Sequence, residues 1–177
     1  MFLIRRIDYT KLKAQMANFI TLINLALGIM AIIFMFEGSY KMSIFFIILA
    51  VVSDRFDGLV ARKYNIESEF GKEFDSLCDL VSFGVAPALL VYHTSLSQLT
   101  GVGVTLVVLY IICGAIRLAR YNVQEFDGSF YGIPITVCGF ILTFFVIFHQ
   151  HLSVLFFAIM ISILTVSMIS NIRIPKM

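Results

Sequence analysis

Long apolar stretches constrain this chain more than any other feature of its sequence. The first of them, Ala17 to Phe36, contains no charged residue, and 60% of all residues are hydrophobic. A soluble domain averages about 45–50% apolar residues, whereas about 20 consecutive apolar residues cross a bilayer. Because backbone polar groups must be paired inside a bilayer, we expect these stretches to cross it as α-helices.

Six such stretches follow one another along the chain. The predicted spans are 17–36, 40–63, 70–93, 101–122, 133–148 and 152–170. Residues 1–15 mix apolar and basic positions, which indicates a short amphipathic helix on the membrane surface. The predicted fold is therefore an all-α integral membrane protein with six transmembrane helices, an N-terminal surface helix and a single membrane domain, 1–177. A net charge of +2 is too small to suggest nucleic acid as a partner.

Four aspartates lie in the second and third predicted helices, where an isolated carboxylate is costly. Residues three or four apart share a helix face. Asp54 and Asp57 therefore form one stripe, and Asp75 and Asp79 form another. Two helices could turn these stripes towards each other, which predicts a functional site; the alternative is structural pairing of single aspartates with a nearby arginine.

The chemistry of this region favours divalent cations. Carboxylate oxygens are hard ligands that suit Mg²⁺, Mn²⁺ or Ca²⁺. Four negative charges match two divalent ions, and paired metal ions activate phosphoryl chemistry. Gly58 and Gly71 leave room for a ligand beside the main chain, and Arg62 could reach a phosphate. The stretch therefore predicts a metal-dependent phosphoryl-transfer site.

Eight residues of this region resemble the signature of the CDP-alcohol phosphotransferase family in both identity and spacing. These residues are Asp54, Asp57, Gly58, Ala61, Arg62, Gly71, Asp75 and Asp79. The resemblance implies a six-helix membrane enzyme that forms a homodimer and uses Mg²⁺ or Mn²⁺, with two ions in the site. It also extends to segments on either side of the signature.

The resemblance also implies a role for each signature residue. The expected metal ligands are Asp54, Asp57, Asp75 and Asp79. Asp79 is in addition the expected catalytic base, which takes the proton of the acceptor hydroxyl. The residues expected to accommodate the nucleotide diphosphate are Gly58, Ala61, Arg62 and Gly71.

Flanking segments are similar to the serine-specific branch of this family. They include Asn18 to Gly28 in the first helix and Gly114 to Asn122 in the fourth. The resemblance implies transfer of the phosphatidyl group of CDP-diacylglycerol to L-serine, giving phosphatidylserine and CMP, with membrane lipid as a further partner. Arg117 and Arg120 share a helix face and could hold an acceptor carboxylate or a lipid phosphate. Their alternative role is ordinary positive charge at a membrane boundary.

Three polar residues of the first helix, Asn18, Thr21 and Asn24, lie on one face. They either border the nucleotide or bond neighbouring helices, and the sequence does not choose between these roles.

Two alternative functions remain open at this point. A phosphorylated acceptor, glycerol 3-phosphate or inositol phosphate, would need a basic pocket that Arg117, Arg120 and Lys72 could supply. Carboxylates in spanning helices also mark ion pathways, so a divalent-cation transporter is the other alternative. The sequence has no visible inverted repeat of the kind that many transporters contain.

The distribution of basic residues predicts the orientation. Six spans would place both termini on one side of the membrane, and all but two of the thirteen Lys and Arg residues fall in the tails, loops and helix ends of that side. The exceptions are Lys41 and Arg55. Since cytoplasmic loops carry the Lys and Arg excess, we expect the termini and the aspartate site on the cytoplasmic side of the cell membrane.

Overall fold

A computed structural model describes the backbone of residues 9–64, 69–123, 129–170 and 173–175, and the side chains of residues 18–56, 69–123 and 132–170. Within these residues the chain forms six helical columns in the predicted order. The elements are α1 (Tyr9–Phe36), α2 (Tyr40–Tyr64), α3 (Glu69–Asp79), a π-helical segment (Leu80–Val85), α4 (Ala86–Thr94), a 3₁₀ turn (Leu96–Leu99), α5 (Gly101–Val123), β1 (Ser129–Tyr131), α6 (Ile135–Val146), α7 (Val154–Ile169) and β2 (Arg173–Pro175).

Three of these columns are long and apolar enough to cross a membrane. They are Asn18–Phe36 of α1, the continuous run Glu69–Thr94, and α5. The helices α6 and α7 are apolar but shorter. With 12 residues, α6 is about 18 Å long, against about 30 Å for the hydrocarbon core. The helical membrane class is thus confirmed with three candidate spans, and the count of six spans stays a prediction.

The N-terminal helix is longer than the predicted span. The first helix, α1, is continuous from Tyr9 to Phe36 and includes residues 9–15 of the segment expected on the membrane surface. The physical reason is local: residues 9–17 contain no glycine or proline and are mostly good helix formers such as Ala, Lys, Leu and Gln. Residues 1–8 lie outside the described part, and the surface helix stays a prediction.

A short strand pair flanks the last two helices, in segments where the sequence predicted no helix. The strands β1 and β2 run antiparallel, with Phe130 opposite Ile174. Their backbone groups pair with each other across the ladder. This pair joins the segment before α6 to the segment after α7.

The first two helices form an antiparallel hairpin around Gly38. This residue has φ +76°, a conformation that favours glycine. The N–H groups of Gly38 and Ser39 bond the carbonyls of Met35 and Phe34, each at 2.9 Å, which completes a helix C-terminal motif. The hairpin places α2 beside α1 and its aspartates in the half away from the turn.

The run α3–π–α4 occupies the centre of the bundle. Of the 18 residues in its most apolar stretch, 56% are buried, whereas the corresponding share is 28% for the span in α1 and 33% for α5. The π-helical segment packs against α1, α2, α5 and α6. This segment follows Asp79 directly, so the centre of the fold sits next to a predicted site residue.

The π-helical segment (Leu80–Val85) ends two residues before Pro87, a residue type that disrupts regular helices. Proline lacks an N–H, and its ring crowds the carbonyl four residues earlier, which here belongs to Phe83. The N–H of Ala86 instead bonds the carbonyl of Val81, five residues back. The Tyr110 hydroxyl donates to the Phe83 carbonyl at 3.3 Å. The widened turn and a side chain from α5 therefore accommodate the proline.

Glycines let two helices approach this segment closely. A Cβ added to Gly28 of α1 would lie 2.8 Å from Cα of Ser82, and one added to Gly139 of α6 would lie 2.6 Å from the carbonyl oxygen of Phe83. Such distances to main-chain atoms leave no space for a methyl group. Small residues at these positions are thus required for backbone-to-backbone packing, as is common between membrane helices.

We predict that Gly139→Ala destabilises the protein by about 1–3 kcal/mol, because overpacking forces the main chain to move. Thermal unfolding of the purified protein in detergent measures the effect as a lowered Tm. Gly101→Ala is the matched control, since a Cβ at Gly101 meets nothing within 4 Å. Equal Tm values for the two variants would show that the close approach is not a constraint.

Candidate active site

Three of the four predicted aspartates come together. Asp54 lies on α2, whereas Asp75 and Asp79 lie one turn apart on α3. Each offers one carboxylate oxygen, and these oxygens all lie within 4.8 Å of one another. Asp79 is buried, with 8% of its surface exposed, and the other two are half-buried. The i, i+4 spacing and the hairpin packing together produce this cluster.

The cluster fits a divalent cation. Three ionised carboxylates this close repel one another, since a partly buried site screens charge less than bulk water does. The Oδ1 atom of Asp75 is buried and has no hydrogen-bond partner in the described part of the chain. Leaving a buried acceptor unsatisfied costs about 1–3 kcal/mol. A bound Mg²⁺ or Mn²⁺ would use such oxygens as ligands and would offset both costs.

The first helix supplies another side of the site. The Asn24 side chain is fully buried, and its Nδ2 donates to Oδ1 of Asp79 at 3.2 Å. The hydroxyl of Ser82, in the π-helical segment, donates to the backbone carbonyl of Asn24 at 3.0 Å. Of the two roles left open for this residue, the structure shows the bond to a neighbouring helix. Sequence reasoning did not predict its pairing with Asp79, because the two residues are 55 positions apart.

The two arginines of α5 have different surroundings. Arg117 is half-buried, and its Nε atom is buried without a hydrogen-bond partner among the described residues. It lies on α5 just over one turn before Asn122, whose amide donates to Ser76 of α3, so α5 brings it to the level of Asp79. Arg120 is exposed and donates to the carbonyl of Ile169 at the end of α7, at 3.4 Å. Arg117 thus lies half-buried at the level of the site, whereas Arg120 bonds a helix end.

Lys72 binds the C-terminal end of α5 rather than standing in an open basic pocket. Its Nζ donates to the carbonyls of Tyr121 and Asn122 at 3.3 and 3.2 Å, which is favourable at the negative end of a helix. The Asn122 amide in turn donates to Glu73 at 3.0 Å and to Ser76 at 2.9 Å. These contacts join α3 to α5 next to Asp75, and nothing in the sequence spacing signals them.

The other predicted nucleotide ligands are only partly placed. Asp57, Gly58, Ala61 and Arg62 belong to the last turns of α2, and their side chains lie outside the described residues. Gly71 lies in the first turn of α3.

The helical fold and the converging carboxylates define a membrane protein whose site can hold a divalent cation. A model of the family described as CDP-alcohol phosphatidyltransferase matches residues 14–169. The chain belongs to this family, which confirms the resemblance found from the aspartate signature.

Curated relatives resemble most of the chain. A CDP-diacylglycerol–serine O-phosphatidyltransferase of Helicobacter pylori is 35% identical over 168 residues, which cover 90% of this chain and 71% of the relative. An enzyme of the same name from Methanocaldococcus jannaschii is 36% identical over 177 residues, covering 99% and 78%. An archaetidylserine synthase of Methanothermobacter thermautotrophicus is 36% identical over 165 residues, covering 90% and 69%.

We predict that Asp75→Asn weakens Mn²⁺ binding on the order of tenfold or more, because affinity follows the number of charged oxygen ligands. Calorimetric titration of the purified, metal-stripped protein measures it without any turnover. Glu37→Gln is the control, since Glu37 is an exposed carboxylate in the turn between α1 and α2. The metal site would be misplaced if both variants bound Mn²⁺ equally well.

Proposed function

We propose that this protein transfers the phosphatidyl group of CDP-diacylglycerol to L-serine and releases CMP. Membership of the CDP-alcohol phosphatidyltransferase family supports the reaction class, and the names of the relatives support serine as the acceptor. The observation that carries the proposal is the convergence of the carboxylates of Asp54, Asp75 and Asp79 within 4.8 Å.

The four signature aspartates are the proposed ligands of two Mg²⁺ or Mn²⁺ ions, with Asp57 completing the described cluster. When bound, such ions neutralise the diphosphate and the charge that develops on departing CMP. Gly58, Ala61 and Gly71 are proposed to let the nucleotide lie against the helices, and Arg62 to contact its phosphates. Because the acyl chains of the donor stay in the bilayer, the reaction needs a site within reach of the membrane.

Asp79 is the proposed general base. It takes the proton of the serine hydroxyl, whose oxygen attacks the phosphorus that carries diacylglycerol, and the bond from that phosphorus to the CMP oxygen breaks. The hydroxyl must lie within about 3 Å of the carboxylate or one water away. The bond from Asn24 to Oδ1 of Asp79 occupies one carboxylate oxygen and orients the other. Arg117 is proposed to hold the acceptor, and Arg120 a lipid phosphate.

We further propose a homodimer of single-domain chains, each with six crossings, with the termini and the site on the cytoplasmic side of the cell membrane. The 28 residues of α1 extend over about 42 Å, more than the hydrocarbon core of about 30 Å. The first turns of α1, with Lys11 and Lys13, therefore reach the head-group region, where basic residues meet anionic lipids. This placement agrees with a cytidine nucleotide as the donor, since such nucleotides are made inside cells.

We predict serine-stimulated CMP release from CDP-diacylglycerol by the purified protein with Mg²⁺ or Mn²⁺, and loss of this release with a chelator. Asp79→Asn should lower turnover by about 10²–10⁴-fold, the usual contribution of a general base. Glycerol 3-phosphate and inositol phosphate, offered separately, are the control acceptors. CMP release stimulated by one of these acceptors, and not by serine, would identify that acceptor as the substrate. Metal flux without CMP release would favour a transporter.

The orientation is tested by single cysteines at two exposed positions. Glu37→Cys, in the turn between α1 and α2, should react with a membrane-impermeant maleimide in intact cells. Glu69→Cys, in the first turn of α3, should react only after lysis. The native thiols give little background, because Cys78 and Cys138 are buried and Cys113 lies within a candidate span. The reverse labelling pattern would invert the proposed topology.

A further inference from the structure

A buried polar atom without a partner requires an explanation, and a ligand held by the site is one such explanation. Among the described residues such atoms are Asn24 Oδ1, Ser43 Oγ, Asp75 Oδ1 and Arg117 Nε. Asp75 belongs to the metal cluster. Asn24 donates a hydrogen bond to Asp79, and Arg117 lies on α5, which is bonded to α3 through Asn122 and Ser76. One unsatisfied acceptor thus lies beside the proposed base, on Asn24, and one unsatisfied donor lies on the neighbouring helix α5, on Arg117.

The orientation of the Asn24 amide follows from its partner. An ionised carboxylate only accepts hydrogen bonds, so the amino group of Asn24 must face Asp79 and the carbonyl oxygen must face away from that bond. The main chain at Asn24 is held in turn by the Ser82 hydroxyl, and Gly28 packs one turn later against Ser82. The Oδ1 atom thus has a fixed position beside the base and requires a donor.

Arg117 offers the complementary group from another helix. It lies on α5, which packs against the π-helical segment that follows Asp79. A guanidinium presents several N–H donors in a rigid fork that matches a carboxylate. Its Nε has no hydrogen-bond partner within the part of the chain that the structure describes, so this donor is left for an anion.

We propose that Asn24 and Arg117 bind the two charged ends of the acceptor amino acid. The ammonium group donates to Oδ1 of Asn24, the carboxylate accepts from Arg117, and the hydroxyl points to Asp79. This proposal rests on the proposed function and adds to it the residues that recognise the acceptor. Serine carries its amino and hydroxyl groups on neighbouring carbons, as the adjacent positions of Asn24 and Asp79 require.

Selectivity follows from the same geometry. An analogue that lacks one charged end leaves a buried donor or acceptor unpaired, and sites built to bond a polar group reject analogues without it strongly. The site is therefore specific for a zwitterion with a β-hydroxyl group rather than for a primary alcohol in general.

The test compares L-serine with two of its fragments, ethanolamine, which lacks the carboxylate, and 3-hydroxypropionate, which lacks the ammonium. CMP release with saturating CDP-diacylglycerol and Mn²⁺ gives kcat/KM for each acceptor. The wild-type protein should prefer serine over either fragment by about 10²-fold or more. Arg117→Leu should lower the serine-to-ethanolamine ratio at least about tenfold, and Asn24→Leu the serine-to-3-hydroxypropionate ratio by a similar factor.

The ratios of kcat/KM between acceptors distinguish loss of acceptor recognition from a general loss of activity. Asn24→Leu also removes the bond to Asp79, so turnover should fall for all acceptors, but a merely structural role would leave the ratios unchanged. Ser43→Ala is the matched control, because it removes a buried, unpaired polar atom of α2 outside the site. Arg117→Lys keeps the charge without the fork and carries the test if Arg117→Leu does not fold.

A second readout needs no turnover. Serine should raise the Tm of the wild-type protein in the presence of Mn²⁺, because a ligand of the folded state stabilises it. This rise should be lost in Asn24→Leu and Arg117→Leu and kept in Ser43→Ala. If Asn24→Leu and Arg117→Leu left the acceptor ratios unchanged and kept the serine-induced rise in Tm, this proposal alone would be overturned. A wild-type protein that releases no CMP with any acceptor would instead overturn the proposed function, and this proposal with it.

Discussion

Close contact between main chains around the π-helical segment supports the rest of the structure. Lipid is as apolar as the helices, so packing and interhelical hydrogen bonds must hold them together. Gly28 and Gly139 provide that packing by letting α1 and α6 rest directly on Ser82 and Phe83. The same segment is bonded to Asn24 by a serine hydroxyl and to Tyr110 through a carbonyl. Position and register of α1 and α5 relative to Asp79 depend on these few contacts.

This central packing explains how a chain of apolar helices can hold a cluster of carboxylates. Asp54, Asp75 and Asp79 repel one another, and only a rigid frame keeps such groups together before a cation binds. Asp79 is held from two directions. It is the last residue of α3, directly before the π-helical segment, and it accepts a hydrogen bond from Asn24. Among the described residues the site therefore combines carboxylates held by packing with two unsatisfied oxygen atoms, Asn24 Oδ1 and Asp75 Oδ1, which agrees with the proposed metal-dependent phosphoryl transfer.

A second set of polar contacts holds α5 against α3, beside the carboxylate cluster. Lys72 holds the last carbonyls of α5, and Asn122 bonds Glu73 and Ser76. These bonds connect α5 to the helix that carries Asp75, so the position of Arg117 is coupled to the carboxylate cluster. They also use Lys72 structurally, which weakens the idea of a basic pocket for a phosphorylated acceptor. Serine, with no phosphate of its own, agrees better with this arrangement.

The sequence by itself determined the helices, their order and the aspartate stripes, because hydrophobic length and i, i+4 spacing are local properties of the chain. It also determined the family, through eight residues at fixed spacing. Only the tertiary structure decided which groups surround the carboxylates. The π-helical segment directly after Asp79, and its close packing against Gly28 and Gly139, were not predicted. The pairing of Asn24 with Asp79 and of Lys72 with the end of α5 joins residues about fifty positions apart, and no local pattern encodes contacts that exist only once the helices have packed.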